Sequence, residues 1–183
     1  MAYLIAAVVV VALVALYALR TARRLDRLHA RVDAAAAGLT AQLLRRAAMA
    51  GAFGASVSLK PEAAAALASA ARTAAETPGL GGDREVAETA VTRALLQAAT
   101  SSPESFTTPS PAATEMHDAA LRASFARRFY NDTVRDVLAV RDLRVVRWLR
   151  LAGHARHPAY FEMADAELPT AQIPVASGPT IEP

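Results

Sequence analysis

Cysteine is absent from the 183-residue sequence, and lysine is almost absent. Without cysteine the chain forms neither disulfide bonds nor thiolate metal sites. Lys60 is the sole lysine, so the formal net charge of +3 at pH 7 rests on arginine, whose guanidinium group binds carboxylate or phosphate through two parallel hydrogen bonds. The excess of arginine and alanine is typical of a GC-rich bacterial genome. The length accommodates one membrane span and one domain of about 130–140 residues.

Charge and proline are both absent from residues 2–19, a run of 18 apolar residues. As a helix this run is about 27 Å long, close to the thickness of the hydrocarbon core of a bilayer. A cleaved signal peptide has a basic start and small residues after the apolar run, but the first basic residue here is Arg20. A helix in a soluble domain is the third interpretation, but 18 uninterrupted apolar residues are too many for one apolar stripe. We therefore predict a transmembrane helix at residues 2–19.

The distribution of arginine predicts the orientation of this helix. No basic residue precedes the run, whereas four follow it at once: Arg20, Arg23, Arg24 and Arg27. Basic residues that flank a span remain on the cytoplasmic side. We expect the amino terminus outside and the domain in the cytoplasm, at the inner membrane.

The remainder of the chain has the periodicity of helices. The apolar spacing of three and four residues continues beyond the span and predicts one unbroken helix to about Ala50, before Gly51 and Gly54. Further helices are predicted from Pro61, from Asp83 as N-cap, and from Ser110 after a polar loop at residues 101–111. We predict an all-α fold, in which the transmembrane helix continues into an antiparallel four-helix bundle over residues 20–163, with a disordered tail at residues 164–183.

The third and fourth predicted helices each have an apolar face. In the third, the apolar residues are Val86, Val91, Leu95 and Leu96. In the fourth, one half of a helical wheel holds Ala123, Ala126, Phe129, Tyr130, Thr133, Val134, Val137 and Val140. Because the connections are short, the fourth helix should return toward the membrane.

Three motifs resemble those of the LemA family of bacterial membrane proteins. Residues 42–46 are similar to the family's Q-x-x-R-R, residues 126–132 to its A-R-R-x-Y-N motif, and residues 158–162 to its closing P-x-x-Y-F-E. The family usually follows its R-R with an acidic residue and L-I-P-N-L, whereas residues 47–51 here are A-A-M-A-G. The family's E-x-Y-P segment is not recognisable near Phe106. We therefore expect a diverged, actinobacterial branch of the family. The resemblance implies a single-pass inner-membrane protein with a cytoplasmic helical bundle, and it implies no established reaction.

No set of residues predicts a catalytic, cofactor or metal site. His154 and His157 lie near Glu162, but a glycine and a proline interrupt the helix that would align them, and no third ligand has suitable spacing. The glycine-rich residues 79–82 precede a helix, yet a Walker lysine and a preceding strand are lacking and Asp83 would repel a phosphate. We predict a protein that is not an enzyme.

Two groups of residues are candidates for a binding surface. The first is the motif surface of Arg127, Arg128, Tyr130 and Asn131. We favour the interpretation in which Phe129 and Tyr130 pack in the core and Asn131 bonds across helices, over one in which the motif binds a partner.

The second group is a basic, amphipathic stretch at residues 141–152, which is typical of a helix lying at a membrane surface. Its predicted membrane contacts are Arg141, Arg144, Arg147, Trp148 and Arg150. Each arginine near an anionic surface contributes about 1 kcal/mol. The alternative is that its apolar side closes the bundle. Nucleic acid is not predicted as a partner, because no recognition module accompanies these arginines.

These features predict a scaffold or accessory interaction module at the cytoplasmic face of the membrane. A signal-transducing or envelope-stress component is the alternative. The expected partners are the lipid bilayer and unidentified proteins. A second copy of the chain is a further candidate, because the alanine-rich stripes can pack between chains as well as within one.

Overall fold

The computed structural model describes residues 1–143 and 157–165, and all secondary structure within these ranges is helical. The predicted all-α class is confirmed. The helices are α1 (Ala2–Ser56), α2 (Pro61–Glu76), α3 (Gly82–Ser101), the one-turn α4 (Glu104–Thr107) and α5 (Pro111–Arg141).

Helix α1 contains 55 residues without interruption, so it is about 80 Å long. The prediction that one helix continues beyond the apolar run is confirmed, and the helix passes through Gly51 and Gly54 as well. A Cβ atom at Gly54 would lie 3.4 Å from Leu67 of α2. This distance is an ordinary van der Waals contact, so α2 packs against this position, and the glycine does not end the helix.

The surface of α1 changes character along its length. The side chains of residues 2–16 are all exposed, although they are apolar. From Thr21 onward one stripe is buried, which contains Leu25, Leu28, Val32, Ala35, Leu39, Leu43, Ala47, Ala50 and Phe53. Within the described ranges, α1 is the one helix long and apolar enough to cross a membrane.

The first core cluster joins the end of α1 to α2, α3, α4 and the start of α5. The rings of Phe53 and Phe106 meet here with their centroids 4.8 Å apart and their planes tilted by 59°. The predicted polar loop at residues 101–111 therefore contains a helical turn. That turn forms because Phe106 gains burial in the core.

The second core cluster lies between the middle of α1 and α5. Helix α5 runs back along α1, since Met116 near its start packs in the first cluster. At its other end, Arg141 Nη1 lies 3.2 Å from His29 Nε2. The last turn of α5 is thus level with the residues that follow the apolar run of α1.

The helix starts agree with the prediction at two of three positions. Helix α2 begins at Pro61. The hydroxyl of Ser110 accepts a hydrogen bond of 3.1 Å from the amide of Ala113, which caps α5. The predicted N-cap at Asp83 is wrong, because α3 begins at Gly82 with Gly81 as N-cap and Asp83 lies in the first turn.

Two of the predicted apolar faces need correction. Val91 and Leu95 are buried, but Val86 is 72% exposed and Leu96 is 40% exposed. The buried face of α3 includes Arg84 and Glu88 instead. On α5 the side chain of Phe129 is 66% exposed.

Candidate functional site

A buried ion network connects α1 to α3. Arg46 Nη1 lies 3.0 Å from Glu88 Oε2, and Arg84 Nε lies 2.9 Å from Glu88 Oε1. All three side chains are at most 3% exposed. Each oxygen of one carboxylate therefore binds one guanidinium group, and Arg84 also donates to the carbonyl of Thr77 at 2.7 Å. Burial lowers the pKa of Arg46, and the charge of Glu88 partly opposes that shift.

The network continues into a segment near the carboxyl end, residues 157–165, which we call the strap. Arg46 donates to the hydroxyl of Thr92, and this hydroxyl donates to the carbonyl of Ala164 at 2.9 Å. The sulfur of Met163 lies 3.9 Å from Arg46 Nη1. The strap thus covers the end of the network.

Helix α5 binds the strap through the side chains of its motif. Asn131 donates to the carbonyl of Phe161 at 3.0 Å and accepts from the amide of Phe161 at 2.9 Å. The hydroxyl of Tyr130 donates to the carbonyl of Ala159 at 2.9 Å, and burial raises the pKa of Tyr130. Because the side chain of Phe161 is fully buried in the second core cluster, the strap has an apolar anchor beside these polar bonds.

Helix α3 binds the opposite edge of the strap. Glu85 Oε1 accepts a bond of 2.8 Å from the amide of Glu162, and the hydroxyl of Thr89 accepts one of 3.4 Å from the amide of Ala164. On the α5 side, Arg127 pairs with Asp165. The strap therefore bridges α3 and α5.

The structure brings three of the four predicted motif residues to the strap. Arg127, Tyr130 and Asn131 bind it, whereas Arg128 is exposed. The interpretation that Asn131 bonds across helices is corrected: its partner is the backbone of Phe161. The alternative interpretation, in which the four motif residues bind a partner protein, stays a prediction.

The remaining predicted positions are only partly described. Arg141 ends α5 beside His29, while Arg144, Arg147, Trp148 and Arg150 lie outside the described residues, as does His154. His157 is exposed. The predicted tail is wrong at its first two residues, because Ala164 and Asp165 are held by Thr92 and Arg127. Residues 166–183 lie outside the described residues.

Four residues of the network were not predicted: Arg46, Arg84, Glu88 and Thr92. Arg84 and Glu88 are four residues apart, which is the spacing of an ordinary solvent-exposed ion pair on a helix. This spacing does not predict that the two side chains are buried. Arg46 belongs to the first family-like motif, at residues 42–46, and that motif is the feature of the sequence that marks it as a candidate.

The arrangement is suited to holding a peptide segment and offers little to acid–base chemistry. Both oxygens of Glu88 already accept bonds from guanidinium groups, so neither faces a cavity as a free base. Within residues 1–143 and 157–165, no group of three acidic or histidine side chains is placed to hold a metal ion. No family model, curated protein or solved structure matches the chain.

Replacing Glu88 by glutamine should destabilise the domain strongly. The variant leaves two buried guanidinium groups without a counter-charge, and loss of one partner from a buried pair costs about 3–5 kcal/mol. Denaturant unfolding of the full chain in detergent measures this free energy. The control is Asp132→Asn, which breaks the exposed pair with Arg135 and should cost less than about 1 kcal/mol. Equal effects would contradict a central role for Glu88.

Replacing Asn131 by alanine should loosen the strap while leaving the helices in place. The variant removes both hydrogen bonds to the backbone of Phe161, so the amides of the strap should exchange hydrogen faster. Mass-spectrometric hydrogen exchange compares the peptide covering residues 157–165 with one from α2. The neighbouring, exposed Arg128→Ala is the control, and strap exchange identical to that of this control would refute the clamp.

Proposed function

We propose that the chain is a single-pass inner-membrane protein whose cytoplasmic domain, an antiparallel four-helix bundle of LemA-like type, acts as a scaffold or accessory interaction module and not as an enzyme. One observation carries the proposal. Within a single helix, the first residues are apolar and exposed on every side, whereas those from Thr21 onward pack along one stripe. A fully apolar, uncovered helix is stable in lipid and not in water.

The meeting of the three motifs supports the family assignment within this proposal. Arg46 from the first motif, Tyr130 and Asn131 from the second, and Phe161 from the third all contribute to one network or its strap. Motifs far apart in sequence that meet in space have a shared structural reason to occur together.

A row of exposed apolar side chains on α5 supports the binding role. Leu121, Phe125 and Phe129 are spaced four residues apart, so they lie on one face. They are 44%, 63% and 66% exposed. Beside Phe129 is a groove of about 680 Å³ that Ala34 and Gly38 of α1 also line. Exposed aromatic side chains in a row are typical of a surface that recognises a partner helix or groove.

The alternative, a signal-transducing or envelope-stress component, is favoured by the continuity of α1. The helix joins the apolar run to Arg46 without a break. A displacement of the span would therefore act on the buried network.

Membrane insertion and orientation are tested by fractionation and reporter fusion. The chain should stay in the membrane pellet at alkaline pH, and a carboxyl-terminal fusion should be active only with a cytoplasmic reporter. The control variant Val9→Asp/Leu13→Asp should be released, because each central charge costs about 2.5–3.5 kcal/mol in a span. Release of the unmodified chain would refute the anchor, and activity of a periplasmic reporter alone would refute the orientation.

Partner binding is tested by a photo-crosslinking amino acid placed at Phe125 or Phe129 in intact cells. We expect a specific adduct from these positions and none from the exposed positions Arg72 and Arg93, which serve as controls. An adduct with membrane enzymes or a secretion machine supports the scaffold, one with a kinase or regulator supports signalling, and one of twice the mass supports a homo-oligomer. Equal labelling at all four positions would contradict a binding face on α5.

A further inference from the structure

A second concave site lies between α1 and the last turns of α5. It has a volume of about 450 Å³ and is lined by Arg24, Arg27, Leu28, Arg31, Asp136, Ala139 and Val140. The three arginines are three and four residues apart, so they share one face of α1. Their guanidinium groups therefore line one concave site on an apolar floor made by Leu28, Ala139 and Val140.

The described residues that line this pocket do not balance its charge. Three arginines and one carboxylate, that of Asp136, line it, which leaves an excess of two positive charges. None of the three arginines forms an ion pair with a carboxylate of the described residues. Grouped guanidinium groups without counter-ions favour an anionic ligand, and phosphate oxygens match their fork geometry.

The position of the pocket along α1 indicates the source of that anion. Arg24 lies five residues beyond Leu19 and Arg31 lies twelve beyond it, which places them about 8 and 18 Å from the end of the apolar run. Side chains on a helix lean toward its amino terminus, here toward the bilayer, and long arginine side chains extend to the headgroup layer. The end of the pocket at Arg24 thus lies at the depth of the headgroups, and the end at Arg31 lies farther from the bilayer.

We propose that this pocket binds the headgroup of an anionic phospholipid, with its phosphate between the guanidinium groups of Arg24 and Arg27. This inference rests on the proposed function, since it requires residues 2–19 to cross the membrane. A lipid is favoured over a free phosphate because the span holds the pocket against the leaflet at all times. Basic pockets beside the ends of membrane helices bind anionic headgroups in this way.

The test uses the full chain in a nonionic detergent, titrated with short-chain phosphatidylglycerol, with phosphatidylcholine of the same chain length, and with inorganic phosphate. Phosphatidylglycerol should raise the melting temperature, and phosphatidylcholine should not. Each arginine replaced by glutamine should weaken binding about 5-fold, the factor equivalent to about 1 kcal/mol. Equal responses to the two lipids would overturn the proposal, and so would saturation by inorganic phosphate at the same concentration as phosphatidylglycerol.

Matched variants separate the pocket from a general effect of charge. Arg24→Gln/Arg27→Gln/Arg31→Gln should lose the lipid response, whereas Arg45→Gln/Arg72→Gln/Arg93→Gln removes the same charge from remote, exposed positions and should retain it. Equal loss in both triple variants would refute a defined pocket.

Liposome flotation of each variant distinguishes this proposal from the proposed function. A chain that floats with liposomes but shows no headgroup preference overturns the pocket alone. A chain that does not insert at all overturns the membrane anchor, and the pocket with it.

Discussion

Glu88 shares its buried carboxylate between two guanidinium groups, and its bond to Arg46 joins α3 to α1. The surrounding interface is made largely of alanine, including Ala47, Ala87 and Ala94. Small, similar side chains pack almost equally well after a shift of one turn, so they specify the alignment of two helices weakly. Arg84 and Glu88 lie on the same helix, so the bond between Arg46 and Glu88 is the one that depends on the alignment. A shift of α1 along α3 would leave the buried guanidinium group of Arg46 without its carboxylate. We infer that the ion network selects the arrangement, while the apolar core supplies most of the free energy of folding.

The strap is bound in part by the same ion network. Helix α5 packs along α1, and α3 packs on α2. Among the described residues, the strap forms hydrogen bonds with both α3 and α5. The side-chain amide of Asn131 both donates to and accepts from the backbone of Phe161 in the strap. A neighbouring β-strand forms the same pair of hydrogen bonds with a backbone. The binding of the strap to Thr92 extends the polar contacts of Arg46 by one hydroxyl. The buried arginine is therefore satisfied by the strap as well as by Glu88.

The sequence predicted the helices better than it predicted the faces they bury. Apolar periodicity located α1, and Ser110 with Pro111 located the start of α5, because these signals are local. The wheel of α5 places Phe129 in the core, because it assumes neighbours across half of the helix. Among the described residues, however, the neighbours of α5 along that stretch are α1 and the strap. The burial of Arg84 and Glu88 depends on Arg46, which is 42 residues from Glu88, and no spacing rule reports that distance. The strap has no periodicity, so only its resemblance to a family motif marked it.

The length of α1 limits what a partner of this protein can be. On the proposed topology, Leu39, which lines the groove beside Phe129, lies twenty residues beyond Leu19, or about 30 Å from the end of the span. Arg46 and its network lie about 10 Å farther out. A partner that consists only of a transmembrane helix cannot reach either level, whereas a lipid headgroup reaches only the pocket at Arg24. On this proposal the two surfaces serve different ligands: the membrane-proximal arginines bind lipid, and the apolar row of Leu121, Phe125 and Phe129 on α5 binds a protein domain that extends into the cytoplasm.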